Sequence, residues 1–126
     1  MAVSALAYLG VRSEHLSNWE DFACNLLGMQ HFDKGGKTSS FRMDDRMQRL
    51  VVSDEPGETL AFIGWEVSDK SDLEYYANRL DKYGYLASFG NKNLCDRRFV
   101  DELLFFYDPC GNRVELVYKP HLSEEA

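Results

Sequence analysis

The chain has 126 residues, 44% of them hydrophobic and 28% charged, which suits one folded domain with a real core and excludes an intrinsically disordered segment. A net charge of −7 with no basic stripe argues against binding nucleic acid through its phosphates and against an anionic membrane surface. Cys24, Cys95 and Cys110 stand far apart with no CxxC pair, so neither a disulfide framework nor a zinc site is indicated; with no signal-like or membrane-spanning run, a reduced, cytoplasmic protein is the expectation.

Residues 5–11 read as an apolar strand. Ser17 then offers a helix N-cap, with Glu20 at capping-box spacing. Trp19, Phe22, Ala23, Leu26 and Leu27 fall at helical spacing, and Gly28 stops the helix. A weak strand at residues 29–32 leads to a turn at residues 33–37, where Gly35-Gly36 is a hairpin signal. Residues 39–43 and 48–53 read as strands joined through Asp44-Asp45, and residues 54–58 as a short polar linker. The pattern then begins again. Residues 60–67 make a strand, Ser71 with Glu74 caps a second helix, and Leu73, Tyr76, Ala77 and Leu80 form its apolar face up to Gly84. Residues 85–89 read as a strand, 90–97 as a polar loop, and 99–107 and 113–118 as the closing strands, before a polar tail at residues 119–126.

The repeat is visible by direct superposition. Leu6-Ala-Tyr-Leu-Gly10 lies over Leu60-Ala-Phe-Ile-Gly64, 54 residues on, and Phe22-Ala23 lies over Tyr76-Ala77 at the same offset. Further along, Phe41-Arg-Met-Asp44 lies over Phe105-Phe-Tyr-Asp108. Two tandem βαβββ units, at about residues 3–53 and 58–118, account for this. The fold class is therefore α+β: one domain whose two units form one curved mixed sheet, with two helices outside and a cleft inside.

The closing hairpin holds the main candidate residue. Asp108-Pro-Cys-Gly-Asn112 is turn chemistry, and Glu115 sits between Val114 and Leu116 in the strand that follows. Alternation alone makes Glu115 the polar face of a half-buried strand; the sharper alternative is a carboxylate pointing into a concave sheet as a ligand or base. Arg97-Arg98 suggests contact with an anion or, more simply, loop–sheet pairing. Asp44-Asp45 is a poor catalytic pair, because adjacent turn residues point apart. Ser39, Ser40 and Ser68 have no neighbouring His. Trp19 and Trp65 read as core or interface residues, and Tyr75 and Tyr83 as a subunit contact.

The paired βαβββ pattern, with Asp108-Pro-x-Gly-Asn before Val-Glu-Leu, resembles the vicinal oxygen chelate superfamily. Within it, Leu6-Ala-Tyr-Leu-Gly10, Phe41-Arg-Met-Asp-Asp45, Leu60-Ala-Phe-Ile-Gly-Trp-Glu-Val67 and Asp108-Pro-Cys-Gly-Asn-Arg-Val-Glu115 resemble the N-terminal module of type I extradiol dioxygenases of the 2,3-dihydroxybiphenyl 1,2-dioxygenase type. The resemblance implies a two-module enzyme that opens a catechol ring with O2, its C-terminal module holding Fe(II) between two His and one Glu. Carried over residue by residue, those ligand positions fall here on Tyr8, Phe62 and Glu115. The carboxylate is present and both imidazoles are missing. His15, His31 and His121 lie in a turn, before the hairpin and in the tail, and do not replace them.

The resemblance thus implies a metal-free structural module with no cofactor of its own. Its partners would be a C-terminal catalytic module or another copy of the chain, within an enzyme of aromatic-compound catabolism. The alternative is a stand-alone ligand-binding protein of the bleomycin-resistance kind, with Tyr8, Phe62 and Trp65 lining an aromatic cleft. A metal site completed across a dimer is the weakest reading, since exchange between chains cannot supply a His the sequence lacks.

Overall fold

The computed structural model describes residues 3–33, 38–54 and 59–122. In chain order these form β1 (Val3–Arg12), α1 (Leu16–Asp21) running on as a π-helical segment (Phe22–Leu26), β2 (Gln30–Asp33), β3 (Thr38–Arg42), β4 (Leu50–Ser53), β5 (Thr59–Val67), α2 (Lys70–Lys82), β6 (Ser88–Phe89), α3 (Lys92–Arg98), β7 (Val100–Tyr107) and β8 (Arg113–Pro120). The class is α+β with mixed strand pairing, as the sequence predicts. The Gly35-Gly36 hairpin, most of the 54–58 linker and the end of the tail lie outside the described residues. The chain divides into two compact units, one of residues 8–61 and 122–126, the other of residues 1–7 and 62–121.

In the unit of residues 8–61, the strands run in the order β2-β3-β4-β1. β2, β3 and β4 pair antiparallel, and β4 pairs parallel to β1. Ala23, Phe41 and Val52 form its buried centre, with Leu16, Trp19, Met29 and Leu50 packed around them. The predicted helix is present, but its start and its apolar stripe need correction. His15, not Ser17, is the N-cap residue, and Glu20 turns instead towards Ser39 and His31. From Phe22 the helix widens into the π form, which shifts the phase of successive side chains. Phe22, Leu26 and Leu27 are consequently exposed, and only Ala23 of the predicted stripe is fully buried.

In the unit of residues 62–121, the order is β5-β8-β7-β6, with β5 parallel to β8 and the remaining pairs antiparallel. α2 lays Leu73, Tyr76, Ala77 and Leu80 against Val67, Leu104 and Leu116, the predicted face in full. Its start is again displaced: Asp69 is the N-cap residue and its N–H donates to the Asp72 carboxylate, so a D-x-x-D box two residues upstream replaces Ser71 and Glu74. Its end is a Schellman motif, in which the N–H of Gly84 donates to Asp81 and that of Tyr85 to Leu80. That motif holds Tyr85 to the helix, so the strand expected at 85–89 shrinks to Ser88–Phe89.

The stretch expected as a polar loop carries α3 instead. Asn91 caps it by accepting the Leu94 N–H at 2.9 Å, Lys92 pairs with Asp96 at 3.1 Å, and Leu94 and Cys95 are buried beneath it. Trp65 is 37% exposed, not a core residue. The repeat is real in register: Gly10 pairs with Val51 in one unit as Gly64 pairs with Glu115 in the other. The superposition of Phe41 on Phe105, however, slips by one. Ser40 faces Val51 as Phe105 faces Glu115, so Phe41 corresponds to Phe106, and each packs in its own unit's core.

Candidate functional site

Strand alternation sets the faces of the 62–121 unit. Val67, Leu104, Phe106 and Leu116 point towards α2, so Phe62, Phe105, Arg113 and Glu115 point to the opposite face. On that face Glu115 is fully buried, at 0% exposure, and not the half-solvated residue that alternation alone suggests. A carboxylate buried so completely must be paired, and α3 supplies the partner. Arg98, the last residue of that helix, donates from Nε to Glu115 Oε1 at 2.9 Å and from Nη2 to Oε2 at 3.1 Å. Arg113 donates from its Nε to Oε2 at 2.9 Å. The two guanidinium groups are themselves seated on aromatic rings, Arg98 at 3.8 Å from the Phe62 centroid and Arg113 at 4.1 Å from that of Phe105. Burial works to lower the Arg113 pKa, but its bonds to Glu115 and Tyr107 prevail and raise it above the ordinary arginine value. The residue after Arg98, Phe99, ends α3 in the left-handed region, at φ 57° and ψ 50°.

Of the three candidate positions, Phe62 and Glu115 therefore meet on the two sides of one guanidinium. Tyr8 lies on β1 in the other unit, 2% exposed. Trp65, three residues from Phe62 on the same strand, faces the opposite way. His15 is a cap residue, His31 lies 3.6 Å from Glu20, and His121 lies 2.9 Å from Asp101. Among the described residues no three His, Cys, Asp or Glu side chains converge as a metal-ligand group. Fe(II), the metal that the resemblance implies for the family, does not fit here. One ligand position carries a phenyl ring, and both oxygens of the only carboxylate already accept hydrogen bonds from arginine.

A second feature was not read from the sequence: an open cleft of about 630 Å³ in the 62–121 unit, bordered by Phe89, Lys92, Asp96, Asp101, Glu102 and His121. Its charges are largely paired with one another, Lys92 with Asp96 and His121 with Asp101. Cys95 also borders it, and burial, aided by Glu102 and Asp96, pushes that thiol up, away from thiolate character. Asp44 and Asp45, weighed above as a carboxylate pair, bond to Arg49 and Arg46 respectively.

Known proteins resemble the chain in sequence and fold. Residues 6–57 match the family described as "Dihydroxybiphenyl dioxygenase BphC D1". The 1,2-dihydroxynaphthalene dioxygenase of Pseudomonas putida is 33% identical over 97% of this chain and 41% of its own length. The biphenyl-2,3-diol 1,2-dioxygenase of Paraburkholderia xenovorans (strain LB400) is 31% identical over 94% of this chain and 40% of its own. A crystal structure of a catechol 2,3-dioxygenase superposes with a TM-score of 0.93 at 31% identity, covering 100% of this chain and 45% of that one. The chain thus spans about 40% of the length of these curated relatives. In sequence and fold it is the counterpart of the N-terminal module of the extradiol dioxygenases, within the vicinal oxygen chelate superfamily.

Proposed function

We propose that the chain is a metal-free structural module of an extradiol ring-cleavage dioxygenase, or of a protein derived from one. It takes no chemical part in opening the catechol and supports a partner that does. The observation that carries this reading is the state of Glu115. The carboxylate at the family's last-strand ligand position is fully buried and accepts from Arg98 and Arg113. It has become an internal anion of the fold. The partner is a C-terminal catalytic module that would hold Fe(II), or another copy of this chain, and the substrate class is a catechol. A cytoplasmic setting suits the free thiols of Cys24, Cys95 and Cys110; no helix among the described residues is long and apolar enough to cross a membrane.

In this reading the residues of the inner face do one job. Arg98 and Arg113 neutralise Glu115, and Phe62 and Phe105 hold the two guanidinium planes in place. A ligand-sequestering cleft at Tyr8, Phe62 and Trp65 has less support, because Tyr8 is buried, Phe62 is covered by Arg98, and Trp65 faces away from Phe62. The test is turnover. The chain loaded anaerobically with Fe(II) and then given O2 and 2,3-dihydroxybiphenyl or catechol is expected to form no yellow ring-opened product. Turnover by the chain alone would refute the proposal.

A further inference from the structure

Two strand positions converge here on one cation. Phe62 is in register with Arg113, and Gly64 with Glu115, so Phe62 and Glu115 are diagonal neighbours on the same face of a parallel pair. Gly64, directly opposite Glu115, puts no side chain into the space between them. The Arg98 guanidinium occupies that space: its carbon is 3.8 Å from the Phe62 centroid, and two of its nitrogens are 2.9 and 3.1 Å from the Glu115 oxygens. The cation is therefore held by position 62 on one side and by position 115 on the other. It comes from α3, a seven-residue helix, and not from either strand.

We infer that this point is a cation site of the fold filled by the chain's own Arg98, and that removing the guanidinium opens it to an external cation whose chemistry matches positions 62 and 115. In the Arg98→Ala chain the matching ligand is methylguanidinium, which restores both the fork on Glu115 and the stack on Phe62. Once position 62 carries an imidazole, the matching ligand is a divalent transition-metal ion held by one nitrogen and one carboxylate, with water completing its shell. The inference rests on the proposed non-chelating role and supplies its physical cause. A buried carboxylate requires a counter-cation, and a covalently tethered one needs no uptake from solution.

Thermal unfolding followed by circular dichroism tests it in two arms. Millimolar methylguanidinium chloride, compared with sodium chloride at equal ionic strength, is expected to raise the Tm of Arg98→Ala by several degrees. It should leave wild type and Arg98→Ala/Glu115→Gln unmoved. Should Arg98→Ala be unfolded at 25 °C, the readout is recovery of the folded spectrum on adding methylguanidinium, and no recovery overturns the inference. In the second arm Ni²⁺ is expected to raise the Tm of Phe62→His/Arg98→Ala but not of Phe62→His, with the shift abolished by adding Glu115→Gln. An absent shift in either arm, or an equal one with Gln at 115, overturns the inference. Metal uptake by the wild-type chain would instead overturn the proposed function, so the two failures are distinct.

Discussion

Arg98→Ala removes two of the three hydrogen bonds that the arginines make to a carboxylate with no exposure to water. Hydrogen bonds to charged groups contribute about 1.5–3 kcal/mol each, and a desolvated guanidinium on a ring adds on the order of 1 kcal/mol. Breaking a buried pair from one side costs roughly 3–5 kcal/mol, because the remaining charge stays buried. Arg113 still reaches Oε2, so the lower half of that range, about 3–4 kcal/mol, is expected. That is a large share of the roughly 5–15 kcal/mol by which a domain is stable. With a urea m-value of about 1–3 kcal/mol/M, the midpoint should fall by about 2 M. Glu115→Gln removes the charge while keeping the shape. In the cycle of Arg98→Ala, Glu115→Gln and the double variant, the double should be more stable than the sum of the singles predicts, by about 2 kcal/mol. A loss below about 1 kcal/mol for Arg98→Ala, or additive single effects, would refute the account of Glu115 as an internally neutralised anion.

Three further outcomes follow from local geometry. Gly111 sits at φ +84° with open space where a Cβ would go, so Gly111→Ala should cost about 1 kcal/mol from backbone strain alone, read as a lowered urea midpoint at unchanged m-value. Phe99 ends α3 in the left-handed region, so Phe99→Gly should be about 1 kcal/mol more stable than Phe99→Ala, the reverse of the usual order for helical or extended residues; equal stabilities would contradict the αL assignment. Asp44 is held below its ordinary pKa of 3.8, chiefly by hydrogen bonds from Arg49. A depressed carboxylate contributes stability above the unfolded value that is lost as pH falls through the folded one. Asp44→Asn should therefore flatten the acid limb of stability below pH 3.8, modestly, because that side chain is 42% exposed; an unchanged limb would refute it.

What the sequence announces here is periodic and local. The α2 face of Leu73, Tyr76, Ala77 and Leu80 stands in the structure as its spacing predicts, and so does the equivalence of Gly10 with Gly64, each paired with the matching position of its partner strand. The start of α2 was displaced because Asp69 and Asp72 satisfy the same capping spacing as Ser71 and Glu74, and propensity alone does not choose between them. The apolar stripe of the first helix failed where the π segment changed its phase. α3 was hidden because seven residues hold too few turns for a periodic signal; Asn91 three residues before Leu94, with Lys92 and Asp96 at i,i+4, was the available cue. The pairing of Arg98 with Glu115 spans 17 residues and two elements. No local pattern encodes it, and it converts an apparent ligand position into an internal ion pair.

The most direct test is metal content. The purified chain, exposed to excess Fe(II) without oxygen and freed of unbound metal, should retain far less than one iron per chain, and Arg98→Ala alone should retain no more. One tightly held iron per wild-type chain would mean that Glu115 releases its arginines to bind metal, and would contradict the account.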